Sequence, residues 1–142
     1  MEGEHEVWPE GVTPLDHTAD VGLVVRALSR VLLFERAAAG MRALIEGAGA
    51  GADAPEPRGS RAIELEADDV ASLLVAWLRE LLFLHQVEGL ALEGVRFTRL
   101  DDTGLEATLS LAAAATRPAR EIKGVTYHGL AVTADERGWR AR

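Results

Sequence analysis

The chain has 142 residues, a length that suits one compact domain able to bury a sizeable core. Hydrophobic residues make up 48% and charged residues 27%, the balance of a soluble globular protein, which excludes disordered and collagen-like classes. The net charge of −8 argues against gripping RNA or DNA directly, and the absence of Cys removes disulfides, thiolate metal sites and Cys nucleophiles.

Residues 1–12 are polar and lack a hydrophobic period, so they read as a mobile arm. Four Glu among the first ten residues exclude a secretory or transit peptide, no run of about 18 uncharged apolar residues predicts a membrane span, and the expected location is cytoplasmic. Val21 to Leu28 reads as a buried strand. Ser29 then caps a helix over Arg30 to Glu46, whose Leu33, Ala37, Met41, Leu44 and Ile45 recur at three- and four-residue steps. Residues 47–60, rich in Gly, Ala and Pro, read as a flexible loop. No strand feeds this loop and no Gly-Lys-Ser/Thr follows, so it is not a phosphate loop.

Arg61 to Glu66 alternates apolar and charged residues and predicts a short strand. Asp68 and Asp69 suit the start of a helix, which runs over Val70 to Gln86 with a stripe from Val70 through Trp77 to Leu82. Val75, Phe83 and Leu84 widen the stripe, which predicts the buried central helix, and Gly89 lies just past its end. Strands follow at Leu92 to Leu100 and Leu105 to Ala114, joined by the hairpin signal Asp101-Asp102-Thr103-Gly104. Val125 to Val132 reads as another strand, a turn falls at Glu136 to Gly138, and a last strand begins at Trp139. Only four residues remain for that strand, so either it is short or the natural polypeptide continues. The interleaved pattern predicts a single α+β domain over 1–142, with two main helices packed on antiparallel or mixed β-sheet.

Three constellations could carry chemistry. In Asp16-His17-Thr18-Ala19-Asp20, two carboxylates and an imidazole precede a buried strand and could hold a hard divalent cation, with Asp20 best placed. Carboxylate oxygens suit calcium, magnesium or manganese. The alternative is a loop in which Asp16 and Thr18 satisfy backbone donors while His17 anchors the turn. The second constellation is Glu121 to His128, where an extended chain puts Glu121, Lys123, Val125 and Tyr127 on one face, as a functional strand or as a solvated edge. Lys123 is the one lysine beside fourteen arginines, and an ammonium offers a compact, tunable charge that guanidinium does not. In the third, Asp68-Asp69, helix capping is a sufficient role beside metal binding. His85, at the end of an apolar helix, reads as a packed or C-terminal capping residue.

The strings His17-Thr18-Ala19-Asp20-Val21-Gly22, Trp77 to Phe83 and Glu121-Ile122-Lys123-Gly124-Val125-Thr126-Tyr127-His128 occur in an order and spacing that resemble the archease family along nearly the whole chain. The resemblance implies a small α+β domain with a strand-helix-strand-strand module inserted in a second sheet. It also implies a protein cofactor, not an enzyme acting alone. Its partner would be an RtcB-type RNA ligase of tRNA splicing and RNA repair. Guanylylation of that ligase's active-site histidine by GTP would be accelerated and multiple turnover restored. On this resemblance Asp20 corresponds to the family's metal-binding aspartate, with His17 beside it, and Lys123 to the lysine needed for activation. The family's closing strand ends in an aspartate that completes the metal site; Trp139 to Arg142 resembles the start of that strand, and no such aspartate follows in these residues. Two other readings stay open. One is a stand-alone metal-dependent phosphohydrolase using Asp20 and His17; the other is a chaperone-like adaptor that works through an apolar face.

Overall fold

The computed structural model describes residues 9–16, 21–46, 56–114, 132–135 and 138–141. Among them are seven strands and two helices: β1 (Val12–Asp16), β2 (Val21–Ala27), α1 (Arg30–Glu46), β3 (Pro57–Glu66), α2 (Val70–Glu88), β4 (Leu90–Leu100), β5 (Gly104–Ala113), β6 (Val132–Asp135) and β7 (Gly138–Ala141). The strands form two antiparallel sheets, one ordered β1-β2-β7-β6 and the other β3-β5-β4. The expected α+β class is observed. The second sheet and α2 come from one continuous segment, β3-α2-β4-β5, set between α1 and β6. That is the strand-helix-strand-strand insertion that the resemblance implied.

Local chemistry explains both helices. Ser29 Oγ accepts from the backbone N–H of Leu32 at 3.1 Å, satisfying a donor at the start of α1 that has no partner within the helix. Asp69 does the same for α2, accepting from Ser72 N–H at 2.7 Å, and those hydrogen bonds hold its carboxyl below the usual range. At the other end, Gly89 adopts φ +68°, the left-handed conformation that closes a helix, and its N–H returns to the Leu84 carbonyl. By length and composition α2 could cross a bilayer, but Leu73, Leu74, Trp77, Leu81, Leu82 and Leu84 are buried within the protein core.

One continuous core joins the layers: Val25 and Ala27 from β2, Leu33, Phe34, Ala37 and Met41 from α1, Trp77 from α2, and Leu105, Leu109 and Leu111 from β5. At its centre Trp77 is fully buried, with ring centroids 6.4 Å from Phe34 and 5.4 Å from Phe97. Its indole N–H donates to the Phe34 carbonyl at 2.9 Å, so the polar edge of a large apolar side chain is satisfied inside the core.

Several boundaries differ from expectation. The arm read over 1–12 ends in ordered chain, with Val12 opening β1, a strand that the hydrophobic pattern does not announce. Its Pro14 removes a ladder donor, which an edge strand tolerates. The flexible loop read over 47–60 also ends early. β3 starts at Pro57, and the loop-like Gly59 (φ +87°) lies at a register shift between Pro57 and Ser60. Phe83, placed on the apolar stripe of α2, is half exposed instead. Residues 1–8, 47–55 and 125–131 of the predicted arm, loop and strand lie outside the described residues.

Candidate functional site

The first candidate motif is framed by a paired hairpin. β1 and β2 run antiparallel from Val12↔Val25 to Asp16↔Val21, so residues 17–20 connect two strand ends in direct register. β2 is flanked by β1 on one side and β7 on the other, with Val25, Arg26 and Ala27 opposite Ala141, Arg140 and Trp139. Next to residues 17–20 the support is the β1–β2 ladder, since the pairing with β7 lies at the far end of β2, at Val25 to Ala27. Asp16 closes one arm of the hairpin, and Asp20 immediately precedes the other.

Arg26 of β2 is tied both to the chain before β1 and to α1. Arg26 N–H donates to the Gly11 carbonyl at 2.8 Å. Arg36 donates to the Arg26 carbonyl at 2.8 Å and to Glu10 at 3.1 Å. Gly11 has φ +79°, and a Cβ there would collide with the Arg26 carbonyl, so the close approach requires glycine.

The residues expected to carry function, Asp20, His17 and Lys123, lie outside the described residues. In the chain, Lys123 falls between β5 and β6, that is, between the inserted sheet and the return to the first sheet. Among the described residues no group of three or more His, Asp or Glu side chains is placed to hold a metal ion. The Asp68-Asp69 pair resolves as a helix start, with Asp69 engaged in the cap. His85 is half-buried in the last turn of α2 and, with Arg42, Met41 and Leu81, lines a small cavity between α1, α2 and β4. That space takes about one water molecule, far less than a nucleotide.

Two arginines of α1 make contacts that sequence reasoning does not assign. Arg42 donates to the Leu92 carbonyl at 3.0 Å. Arg30 donates to the Leu100 carbonyl at 3.2 Å and pairs with Asp102 at 2.6 Å. Together they fasten α1 along β4 and the β4–β5 hairpin. No local spacing signals these contacts, because their partners are 50 and about 70 residues away. In that hairpin Asp101 accepts from Arg99 and from the N–H groups of Thr103 and Gly104, at 2.9 Å each. The Arg99 guanidinium first, then the Thr103 N–H, hold its carboxyl down at about 2.

A family model described as "Archease protein family (MTH1598/TM1083)" matches residues 13–142. The chain belongs to the archease family. It is 32% identical over 137 residues to the protein archease of Methanosarcina barkeri, covering 90% of each chain. It is 33% identical over 126 residues to that of Thermococcus gammatolerans, covering 82% of this chain and 84% of the relative. The solution structure of Methanobacterium thermoautotrophicum protein 1598 superposes with a TM-score of 0.66 at 28% identity, covering 92% of this chain and 94% of that one. The family match begins within β1 and runs through β7, so it takes in both sheets and the segments that hold Asp20 and Lys123 of this archease.

Proposed function

We propose that this chain is a protein cofactor that activates an RtcB-type RNA ligase, promoting metal- and GTP-dependent guanylylation of the ligase and its multiple turnover in tRNA splicing and RNA repair. The observation that carries the reading is the archease match over residues 13–142, which includes the His17-Thr18-Ala19-Asp20 string and Lys123.

In this reading Asp20, with His17 beside it, holds a divalent cation. The donor chemistry fits: carboxylate oxygens near the mouth of one hairpin, without a thiolate, suit calcium, magnesium or manganese. Such a cation supplies positive charge to the phosphates of GTP in the partner's nucleotide site. Lys123 supplies an ammonium whose compact charge offsets negative charge developing on the same phosphates. The β1–β2 pairing supports this role, because Asp16↔Val21 brings the chain on either side of residues 17–20 together. The acidic balance of the chain suits docking to a basic, RNA-handling protein better than to RNA.

The test follows covalent labelling of the ligase with GTP. Addition of this chain should accelerate labelling, and Lys123→Ala or Asp20→Ala should remove the acceleration while the far-ultraviolet circular dichroism spectrum stays unchanged. Hydrolysis of GTP by this chain alone would instead favour a stand-alone phosphohydrolase. Equal acceleration by both variants would favour an adaptor that needs neither side chain.

A further inference from the structure

We propose that Arg26 and Arg140, opposite one another on the outer face of the first sheet, take a phosphate group of an RNA strand. The inner face of that sheet lies under α1, where Val12, Val25 and Ala27 are buried in the common core. Thr13 and Arg26 alternate with them and are exposed on the other face. Arg26 is in register with Arg140 of β7, and Arg140 with Thr133 of β6. Residues directly opposite in a ladder share a face, so these three positions form one row across the outer side.

The two arginines form the closer kind of cross-strand pair. Arg26 N–H donates to the Gly11 carbonyl at 2.8 Å, and the Arg26 carbonyl accepts from Arg36 at 2.8 Å. Both backbone groups are thus engaged away from β7, which makes Arg26 and Arg140 a non-hydrogen-bonded pair with Cα atoms about 4.5 Å apart. Like charges directly opposite destabilise a sheet. Among the described residues no carboxylate bonds the Arg26 side chain, and Glu10 is held by Arg36. Asp135 is the one acidic position on this face among the described residues; it lies diagonal to Arg140, with β7 between it and Arg26. An anion between the two guanidinium groups offsets their repulsion, and the planar fork of arginine matches the oxygens of a phosphate.

The choice of RNA rests on the activator reading. Arg26 is five residues along β2 from Val21, about 17 Å at roughly 3.4 Å per residue. A strand whose end lies at the cation proposed for Asp20 reaches this row within a few nucleotides. The net charge of −8 opposes a strong independent grip, so the row adds one local contact to a strand that the ligase holds.

A titration of the full chain with a short single-stranded RNA at low salt, followed by two-dimensional 15N NMR, tests the proposal. Saturable shifts are expected at Arg26, Arg140 and Thr133, and none at Arg96, an exposed arginine of β4. Arg26→Gln and Arg140→Gln should each weaken binding by about threefold to fivefold. Each should also flatten the slope of log affinity against log salt by about 0.7. Arg96→Gln should change neither. Without RNA, Arg26→Gln should melt no lower than wild type, because it removes a like-charge pair; this separates a binding role from a structural one. No shifts at millimolar RNA, or shifts and losses that include Arg96 equally, overturn the proposal. Inorganic phosphate that saturates the same shifts at the same concentration as RNA overturns the assignment to a strand. The titration contains no ligase, so its failure and a failure to accelerate guanylylation are read separately.

Discussion

Replacing Trp77 by Phe probes the point where α1, α2 and β4 meet. Trp77 is fully buried, donates to the Phe34 carbonyl at 2.9 Å and lies against both Phe34 and Phe97. The substitution removes a hydrogen bond with a net value of about 1 kcal/mol. It also leaves a void of roughly two methylene groups, at about 0.8 kcal/mol each. The tilted ring contacts with Phe34 and Phe97 are partly kept by the new phenyl ring. The expected loss is therefore about 2–3 kcal/mol, or a fall in Tm of about 7–10 °C for a chain of this length. Equilibrium unfolding in urea, followed by far-ultraviolet circular dichroism, should show a lower midpoint with an unchanged slope. A loss below about 1 kcal/mol would refute the reasoning, because the hydrogen bond or the packing around the indole would then contribute nothing.

Further perturbations address the hairpin, the turns and the site. The Asp101 carboxyl titrates at about 2 in the folded chain, below its ordinary value of 3.8. Its stabilising contribution is present above pH about 4 and is lost as pH falls towards 2. The wild-type urea midpoint should thus drop more steeply over that window than that of Asp101→Asn. Gly89→Ala should cost about 1 kcal/mol, a conformational penalty alone, because no atom lies within 4 Å of the added Cβ. Gly11→Ala should cost more, since its Cβ also meets the Arg26 carbonyl, and thermal melts of the two variants compare them directly. Lys123→Ala should abolish ligase stimulation without changing Tm; full stimulation by the variant would remove Lys123 from the mechanism.

Where local chemistry is strong, the sequence reveals the element. α2 combines an acidic cap at Asp69, an apolar stripe and Gly89, and all three act as expected. The turn from Asp101 to Gly104 is equally legible, because its side chain and backbone satisfy one another locally. β1 is not, since five residues containing Pro14 show no clear alternation and owe their extended form to pairing with β2. The first residues of β3 read as loop for a related reason: Pro57 and Gly59 disfavour a central strand but fit an irregular edge. Phe83 continues the apolar composition of α2, yet helical rotation turns it to the surface. For the candidate site, spacing left Asp20 and Lys123 with both structural and functional readings. Their significance came from the order of the motifs, because the chemistry proposed for them completes itself on a partner protein.

The most direct test counts RNA molecules joined per ligase molecule, in GTP and manganese, with and without this chain. The account predicts a change from about one joining event per ligase to many when the chain is present, and no such change with Lys123→Ala. Turnover that is identical with and without the chain would contradict its role as an activator of the ligase.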